Sequence, residues 1–131
     1  IKIMNIIGNG VDIVENARIE NSLKIKGFIN RIFTKNEINK SKRLKNKTSY
    51  YAKRFAAKEA FVKALGIGFR NNINFIDIDV SNNKMGKPYI NVSSKINNFI
   101  KNKLKLNKYK IYLSLSDEKK YSIAFVIINK N

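Results

Sequence analysis

The chain has 131 residues, of which 44% are hydrophobic, a length and composition that predict one compact domain over residues 1–131. It contains no cysteine and no histidine, which excludes disulfides, thiol chemistry, imidazole metal ligands and nucleophiles activated by histidine. Its formal net charge of +18 favours a polyanionic partner, whether a nucleic acid, an acidic protein, a phosphorylated cofactor or a membrane surface.

The N-terminal segment predicts a strand and then a helix. The apolar run within residues 2–11 is typical of a strand, and Gly8-Asn9-Gly10 has the composition of a glycine loop. Asp12 is therefore expected at a strand end, where the chain bends toward a cleft. The loop lacks the spacing of a dinucleotide-binding fingerprint, so a glycine turn without a ligand remains the simpler interpretation. A helix is predicted from about 15 to 24.

Two further helices are predicted before residue 66. Thr34 and Glu37 have the spacing of a capping box at the start of a short helix over about 34–42. The second is longer, with Thr48 or Ser49 as its N-cap, and it ends at Gly66, where a left-handed residue is readily accommodated.

The C-terminal half predicts an antiparallel arrangement of strands with one helix. Residues 75–80 alternate in polarity and are followed by Gly86 and an apolar run at 88–92, which together predict a hairpin. Ser93 or Ser94 is a candidate N-cap for a helix to about residue 104. Strands over 111–115 and 122–128 follow, with a turn over 117–120.

The order of elements predicts the α+β class: a small antiparallel sheet packed against a long helix, without repeated βαβ units. No Gly-rich run has the form of a P-loop, and no stretch approaches the ~20 apolar residues of a membrane span. We expect a cytoplasmic protein that does not associate with a membrane.

The predicted long helix carries one carboxylate among cations. Glu59 and Lys63 lie one turn apart, as do Arg54 and Lys58, so this helix offers an oxygen ligand for a hard cation and positive charge for phosphates. Without His or Cys, oxygen atoms must hold any metal, which favours Mg²⁺, and Asp12 is a candidate second ligand. The simpler alternative for Glu59 is a surface residue paired with Lys63.

Four segments resemble the holo-[acyl-carrier-protein] synthase family in both order and spacing. They are 10–15 with Arg18-Ile19, 54–60 with Lys63-Ala64 and 66–68, 86–88, and 113–118 with Tyr121. The resemblance covers nearly the whole chain. Its most specific parts are the Asp12 segment and the Arg-Phe-Ala-Ala-Lys-Glu-Ala sequence that begins at Arg54.

The resemblance implies that the chain transfers 4′-phosphopantetheine from coenzyme A to a serine of acyl carrier protein, with Mg²⁺, in fatty acid biosynthesis. Adenosine 3′,5′-bisphosphate would be released. Asp12 and Glu59 match the family's metal ligands, and with Lys63 they form the expected catalytic set. The expected coenzyme A contacts are listed together: Arg54, Phe55, Lys58, Lys63, Gly66 and Pro88.

The resemblance also implies a homotrimer with active sites between subunits. Arg18 matches a position that meets the acidic carrier protein, and Lys24 and Lys26 extend this basic surface, although both lysines could equally be solvated helix charges. Tyr112 replaces a histidine found in many relatives, and it is either a pocket residue or a packing residue of the sheet.

The serine proton must pass to a carboxylate or to a water on the metal, since no histidine is present.

Two other functions are alternatives. A small basic nucleic-acid-binding protein would use the net charge with Tyr50, Tyr51, Tyr109 and Tyr112, but no recognised nucleic-acid motif occurs. An inactive scaffold would retain the fold and lack transfer activity.

Overall fold

The computed structural model of the protein describes residues 5–131. The elements in chain order are β1 (Asn5–Glu15), α1 (Asn16–Leu23), α2 (Phe28–Ile32), α3 (Lys35–Ser41), α4 (Lys47–Leu65), a 3-10 turn (Phe75–Asp77), β2 (Ile78–Asn82), β3 (Pro88–Val92), α5 (Ser94–Lys103), β4 (Tyr109–Asp117) and β5 (Tyr121–Lys130). Within these residues, no helix has the length and apolar character required to cross a bilayer.

Two antiparallel sheets and the long helix α4 organise the fold. One sheet has three strands in the order β1-β5-β4, and the other is the β2-β3 hairpin. The helix α4 packs on β1 and β5 of the larger sheet, and its buried side chains lie on several faces. The predicted α+β class, with a small antiparallel sheet against a long helix, is confirmed.

The predicted loop at Gly8-Asn9-Gly10 is wrong, because these residues lie inside β1. A Cβ atom on Gly8 would lie 2.0 Å from the carbonyl oxygen of Ala64, and one on Gly10 would lie 2.0 Å from that of Ala60. The glycines therefore allow β1 to approach the backbone of α4 rather than to turn. The first predicted residues of this strand, 2–4, lie outside the described residues.

Local signals located the helix boundaries well, with two differences. The capping box at the start of α3 is present, since the Thr34 side chain accepts from the Glu37 N–H and the Thr34 N–H donates to Glu37. Gly66 ends α4 in the left-handed region, with φ of 79°. The N-cap of α4 is Asn46 rather than Thr48 or Ser49, and the short helix α2 was not predicted.

The C-terminal half follows the prediction with small shifts. The hairpin and the two long strands are present, and Ser93 is the N-cap of α5, where its hydroxyl accepts from the Ile96 N–H. Residues 75–77 form the 3-10 turn instead of the start of a strand, because Asp77 caps this turn and accepts a hydrogen bond from the Asn74 N–H at 2.9 Å.

Candidate functional site

The strand β1 directs Asp12 toward α4. Asp12 pairs across the sheet with Ala124 of β5, and the Ala124 side chain is fully buried. The residues on either side of Asp12 in β1, Val11 and Ile13, are exposed on the other face of the sheet. The expectation that Asp12 lies at a strand end is wrong, because it is an internal residue of the ladder. Its place beside the helix results from the close approach at Gly8 and Gly10, the alternate residues that precede it on the same face.

Glu59 is the second carboxylate at this contact. It is partly buried on α4. Burial raises the pKa of the Glu59 carboxyl, the nearby charge of Asp12 raises it further, and Lys63 and Arg18 act in the opposite direction. The two carboxylates are thus close enough to repel each other.

Lys63 provides the compensating cation. Its ammonium Nζ lies 3.1 Å from Oδ1 of Asp12, and it also donates to the carbonyl of Val11 at 3.1 Å. The Asp12 side chain is 16% exposed and the Lys63 side chain 54%, so the pair opens to solvent on the lysine side. The structure therefore brings together the three predicted residues Asp12, Glu59 and Lys63, which we call the carboxylate site.

The carboxylate site can supply two oxygen-bearing side chains to a hard cation. Over residues 5–131, no group of three or more His, Cys, Asp or Glu side chains could hold a metal. Mg²⁺ commonly binds one or two carboxylates and completes its shell with waters and substrate phosphates. The adjacent, mutually repelling carboxylates of Asp12 and Glu59 fit that kind of cation better than a cage formed by protein alone.

A second basic feature lies around Arg54. Its guanidinium is stacked on Tyr50, 3.7 Å from the ring centroid, and donates to the side-chain oxygen of Asn82 at 2.7 Å. Burial lowers the pKa of this guanidinium. Arg54 is 95% buried, and its Nε has no hydrogen-bond partner among the described residues. It borders a cavity of about 440 Å³ that we call the arginine cavity, lined by Lys40, Leu44, Tyr50, Lys53, Arg54, Asn82, Gly86, Pro88 and Leu115.

Lys58 does not have the position expected of a phosphate ligand. It is fully buried, its Nζ lies 2.8 Å from a Glu37 carboxylate oxygen, and it donates to the carbonyls of Ile32, Phe75 and Ile78. These partners occupy the donors of the ammonium group. The predicted contact with cofactor phosphates does not fit this arrangement, in which Lys58 joins α4 to α2, α3 and β2.

The other predicted cofactor residues lie around the same helix. Phe55 is stacked on Phe75 at 5.6 Å between centroids, and Phe75 is stacked on Phe69 at 3.8 Å. The three rings therefore pack the segment that follows α4 against the helix. Gly66 is the exposed C-cap of α4, and Pro88 begins β3 at the arginine cavity. Contacts of these residues with coenzyme A remain predictions.

The carboxylate site and the arginine cavity border different edge strands of the three-stranded sheet. Asp12 is on β1 and the cavity residue Leu115 is on β4, and these strands form the two edges of the three-stranded sheet. Arg54 and Glu59 are also about 140° apart around the axis of α4, given 3.6 residues per turn. The two features therefore lie on different sides of α4.

The three predicted partner-binding residues lie on and just after α1. Arg18, Lys24 and Lys26 are exposed, and Ile25, between the two lysines, is 58% exposed. Arg18 is near enough to Glu59 to lower its pKa. The basic surface therefore begins beside the carboxylate site.

Tyr112 lies on β4 with its side chain exposed. Lys110 Nζ is 5.1 Å from the ring centroid, and both residues border a cavity of about 230 Å³ together with Lys87 and Pro88. This position agrees with a pocket residue more than with a packing residue. Tyr50 and Tyr51, by contrast, are buried, so they cannot stack with nucleic-acid bases as that alternative required.

Sequence reasoning missed several residues of the two features. Lys40 and Asn82 join Arg54 only through tertiary structure, whereas Lys53 precedes it on α4, and no local signal marks any of the three. Asp117 holds the start of α4, since it accepts from the Ser49 hydroxyl at 2.7 Å and pairs with Lys53 at 3.3 Å. A larger cavity of about 850 Å³ lies near Asp117 and Glu20, but none of the predicted site residues lines it.

Comparison with known proteins adds the family context. The sequence model of the 4′-phosphopantetheinyl transferase superfamily matches residues 8–126. The holo-[acyl-carrier-protein] synthase of Pelagibacter ubique is 55% identical over 127 residues, which are 97% of this chain and 99% of that protein. The holo-[acyl-carrier-protein] synthase of Ehrlichia chaffeensis is 48% identical, over 94% of this chain and 96% of that protein.

Solved structures of similar proteins share the fold. A holo-(acyl-carrier-protein) synthase from Bacillus anthracis in complex with CoA (3′,5′-ADP) superposes with a TM-score of 0.81 at 37% identity, over 98% of this chain and 100% of that one. The synthase of Helicobacter pylori, in complex with coenzyme A, has a TM-score of 0.77 at 32% identity, over 92% of this chain and 98% of that one.

Proposed function

The chain belongs to the holo-[acyl-carrier-protein] synthase family of the 4′-phosphopantetheinyl transferase superfamily, and from this premise we propose that it transfers 4′-phosphopantetheine from coenzyme A to a serine of acyl carrier protein. The reaction is Mg²⁺-dependent, releases adenosine 3′,5′-bisphosphate and serves fatty acid biosynthesis. The observation that carries this proposal is the convergence of Asp12, Glu59 and Lys63 in a chain whose relatives bear that activity.

Asp12 and Glu59 would hold the Mg²⁺ ion through their carboxylate oxygens. Bound there, the ion would neutralise the charge of the pyrophosphate group during its displacement. The support is the chemistry of the site: two adjacent carboxylates on a chain that offers no nitrogen or sulfur ligand of the kind that zinc prefers.

The bond changes follow from the product. The carrier serine oxygen attacks the phosphorus that bears pantetheine, the serine proton passes to a carboxylate or to a water, and the oxygen bridging the two phosphorus atoms leaves with adenosine 3′,5′-bisphosphate. Lys63, with its exposed ammonium beside the carboxylates, stabilises the negative charge of the leaving group. Because little covalent chemistry falls to the protein, positioning and charge stabilisation supply most of the catalysis.

The arginine cavity suits the phosphorylated nucleotide part of coenzyme A. Arg54, Lys53 and Lys40 supply positive charge there, and the buried guanidinium retains one N–H without a protein partner among the described residues. A buried donor without a partner is destabilising, so an anionic ligand in the cavity would be favourable.

The basic surface of Arg18, Lys24 and Lys26 would dock the carrier. Acyl carrier proteins are acidic, so opposite charges favour encounter. Ile25 adds an exposed apolar side chain between the two lysines. The position of Arg18 beside Glu59 would deliver the carrier serine to the carboxylate site.

We further propose a homotrimer with active sites between subunits. Val11, Ile13, Ile123 and Phe125 form an exposed apolar surface on the side of the three-stranded sheet opposite α4, which we call the outer sheet face. Contiguous apolar surfaces of this kind mark interfaces. In such an assembly, the arginine cavity of a neighbouring copy would adjoin the carboxylate site.

An intact-mass measurement tests the proposal. Apo carrier protein mixed with coenzyme A, Mg²⁺ and the protein should gain the mass of the phosphopantetheine group. The variants Asp12→Asn and Glu59→Gln should lose most of this transfer while keeping the fold, because each removes a negative charge with little change of shape. Unmodified carrier protein with the unaltered chain would instead indicate an inactive scaffold.

A further inference from the structure

The ammonium of Lys63 acts as the counter-ion of Asp12 at the carboxylate site. It is held on two sides, by Oδ1 of Asp12 at 3.1 Å and by the carbonyl of Val11 at 3.1 Å, and it lies one turn from Glu59 on α4. Arg18 is the other cation that acts on Glu59, but it has no hydrogen bond to either carboxylate. Among the described residues, Lys63 is therefore the cation in direct contact with the Asp12 carboxylate.

We infer that Lys63 competes with the divalent cation for the carboxylate site, and that coenzyme A relieves this competition by offering the ammonium a phosphate partner. This inference rests on the metal site of the proposed function. The same lysine thus opposes the metal ion when coenzyme A is absent and assists the reaction when coenzyme A is bound.

The competition follows from charge and from the shared oxygen. An ammonium 3.1 Å from Oδ1 occupies one direction of approach to that oxygen, and its charge repels a second cation. The lysine side chain is 54% exposed, and Asp12 is its one ion-pair partner among the described residues, so the ammonium can move into solvent by giving up its bonds to Asp12 and to the Val11 carbonyl. Coenzyme A carries phosphates that can accept the displaced ammonium.

Coupling between the two ligands is the consequence. If coenzyme A draws Lys63 away from Asp12, then it strengthens metal binding, and by linkage the metal ion strengthens coenzyme A binding by the same factor. Removal of the lysine charge should therefore tighten metal binding in the absence of coenzyme A and reduce the coupling between the two ligands.

Calorimetric titration with Mn²⁺ as the probe metal tests the inference without an activity measurement. The unaltered protein, Lys63→Met and Lys63→Arg are each titrated with and without coenzyme A. Lys95→Met is the matched control, since Lys95 also pairs with a carboxylate, that of Asp77 at 3.3 Å, and has a 41% exposed side chain. Asp12→Asn gives the baseline for Mn²⁺ bound by coenzyme A itself.

Lys63→Met should bind Mn²⁺ alone roughly tenfold or more tightly than the unaltered protein, because a unit charge at this range from a divalent ion is significant even in water. The enhancement of Mn²⁺ binding by coenzyme A should shrink in this variant. Lys63→Arg, which keeps the charge, should behave like the unaltered protein, and so should Lys95→Met.

Mn²⁺ affinities of Lys63→Met and the unaltered protein that agree within error would overturn the inference, as would an equal gain in Lys95→Met. These outcomes would leave the proposed function standing. If the unaltered protein with coenzyme A binds no more Mn²⁺ than the Asp12→Asn baseline, the proposed metal site and this inference are both overturned.

Discussion

At the scale of single residues, Lys58 and Glu37 form a buried ion pair whose charges stabilise the fold. Both side chains are fully buried, and the Glu37 carboxylate also accepts the N–H groups of Thr34 and Val80. Burial lowers the pKa of the Lys58 ammonium, while the charge of Glu37 acts in the opposite direction. The pair therefore holds α3, α4 and β2 together.

The first prediction concerns this pair. Lys58→Met should lower the free energy of unfolding by about 3–5 kcal/mol, because the substitution leaves the Glu37 charge buried without its partner. Urea unfolding followed by circular dichroism measures the change. The control is Lys84→Met, at an exposed position of the β2-β3 turn. A loss no greater than that of the control would contradict the structural role.

The second prediction concerns pH. Burial raises the pKa of the Tyr50 hydroxyl to about 12, and this hydroxyl donates to the Glu37 carbonyl at 2.6 Å. The unfolded chain, with a tyrosine pKa of about 10, releases the proton first. The stabilisation by the neutral phenol is thus complete below about pH 10 and is lost as the pH rises through about 12.

Tyr50→Phe isolates this contribution from the many lysines that titrate in the same range. At neutral pH the variant should be less stable by about 1 kcal/mol, owing to the lost hydrogen bond. Above about pH 10 the difference should diminish and then reverse, because phenylalanine cannot ionise. Urea unfolding of both proteins at a series of pH values measures it. A constant difference across the series would show that Tyr50 ionises normally in the folded state.

At the scale of elements, the contact between β1 and α4 creates the carboxylate site. Gly8 and Gly10 lie against the carbonyls of Ala64 and Ala60, and the next residue on that face of β1 is Asp12. Small residues on both elements permit this distance, and Asp12 consequently meets Glu59 and Lys63. The sequence of β1 or of α4 alone would not produce the site, because the site requires their contact.

The third prediction tests this contact. Gly10→Ala should lower the stability by at least about 1–3 kcal/mol, since the added Cβ would meet backbone atoms that no change of rotamer can move. Asn9→Ala, on the exposed face of β1, should have little effect. Thermal unfolding followed by circular dichroism compares the variants, and equal midpoints would show that β1 can move away from α4 without loss.

At the scale of the whole molecule, the carboxylate site and the arginine cavity lie on different sides of α4. The outer sheet face offers an apolar surface, and the carboxylate site and the arginine cavity lie at opposite edges of the same sheet. Assembly through this surface would bury the exposed apolar side chains and join the two features in neighbouring copies.

The fourth prediction concerns assembly. Phe125→Glu should convert trimers to monomers and abolish transfer to the carrier protein, because a carboxylate cannot be buried in the interface without a partner. Ile76→Glu, also at an exposed apolar position but on the 3-10 turn, should remain trimeric and active. Light scattering and the intact-mass measurement report both properties. A fully active Phe125→Glu monomer would refute the shared active site.

Features that depend on residues close together in the chain could be predicted from the sequence. The capping box at Thr34, the helix end at Gly66 and the N-cap at Ser93 are local hydrogen-bonding or dihedral effects, so they were predictable. The pairing of Glu59 with Lys63 along one helix face, the oxygen-only choice of metal ligands and the family motifs were likewise present in the order of the residues.

Features that depend on residues far apart in the chain required the tertiary structure. Gly8-Asn9-Gly10 has the composition of a loop, yet it lies in a strand because Ala60 and Ala64 of α4, distant in the sequence, pack against it. Lys58 and Lys63 both belong to α4, but three carbonyls and Glu37 surround Lys58, whereas Lys63 contacts Asp12 and solvent. Burial and charge pairing between separate elements, which local sequence does not encode, made one lysine structural and placed the other at the carboxylate site.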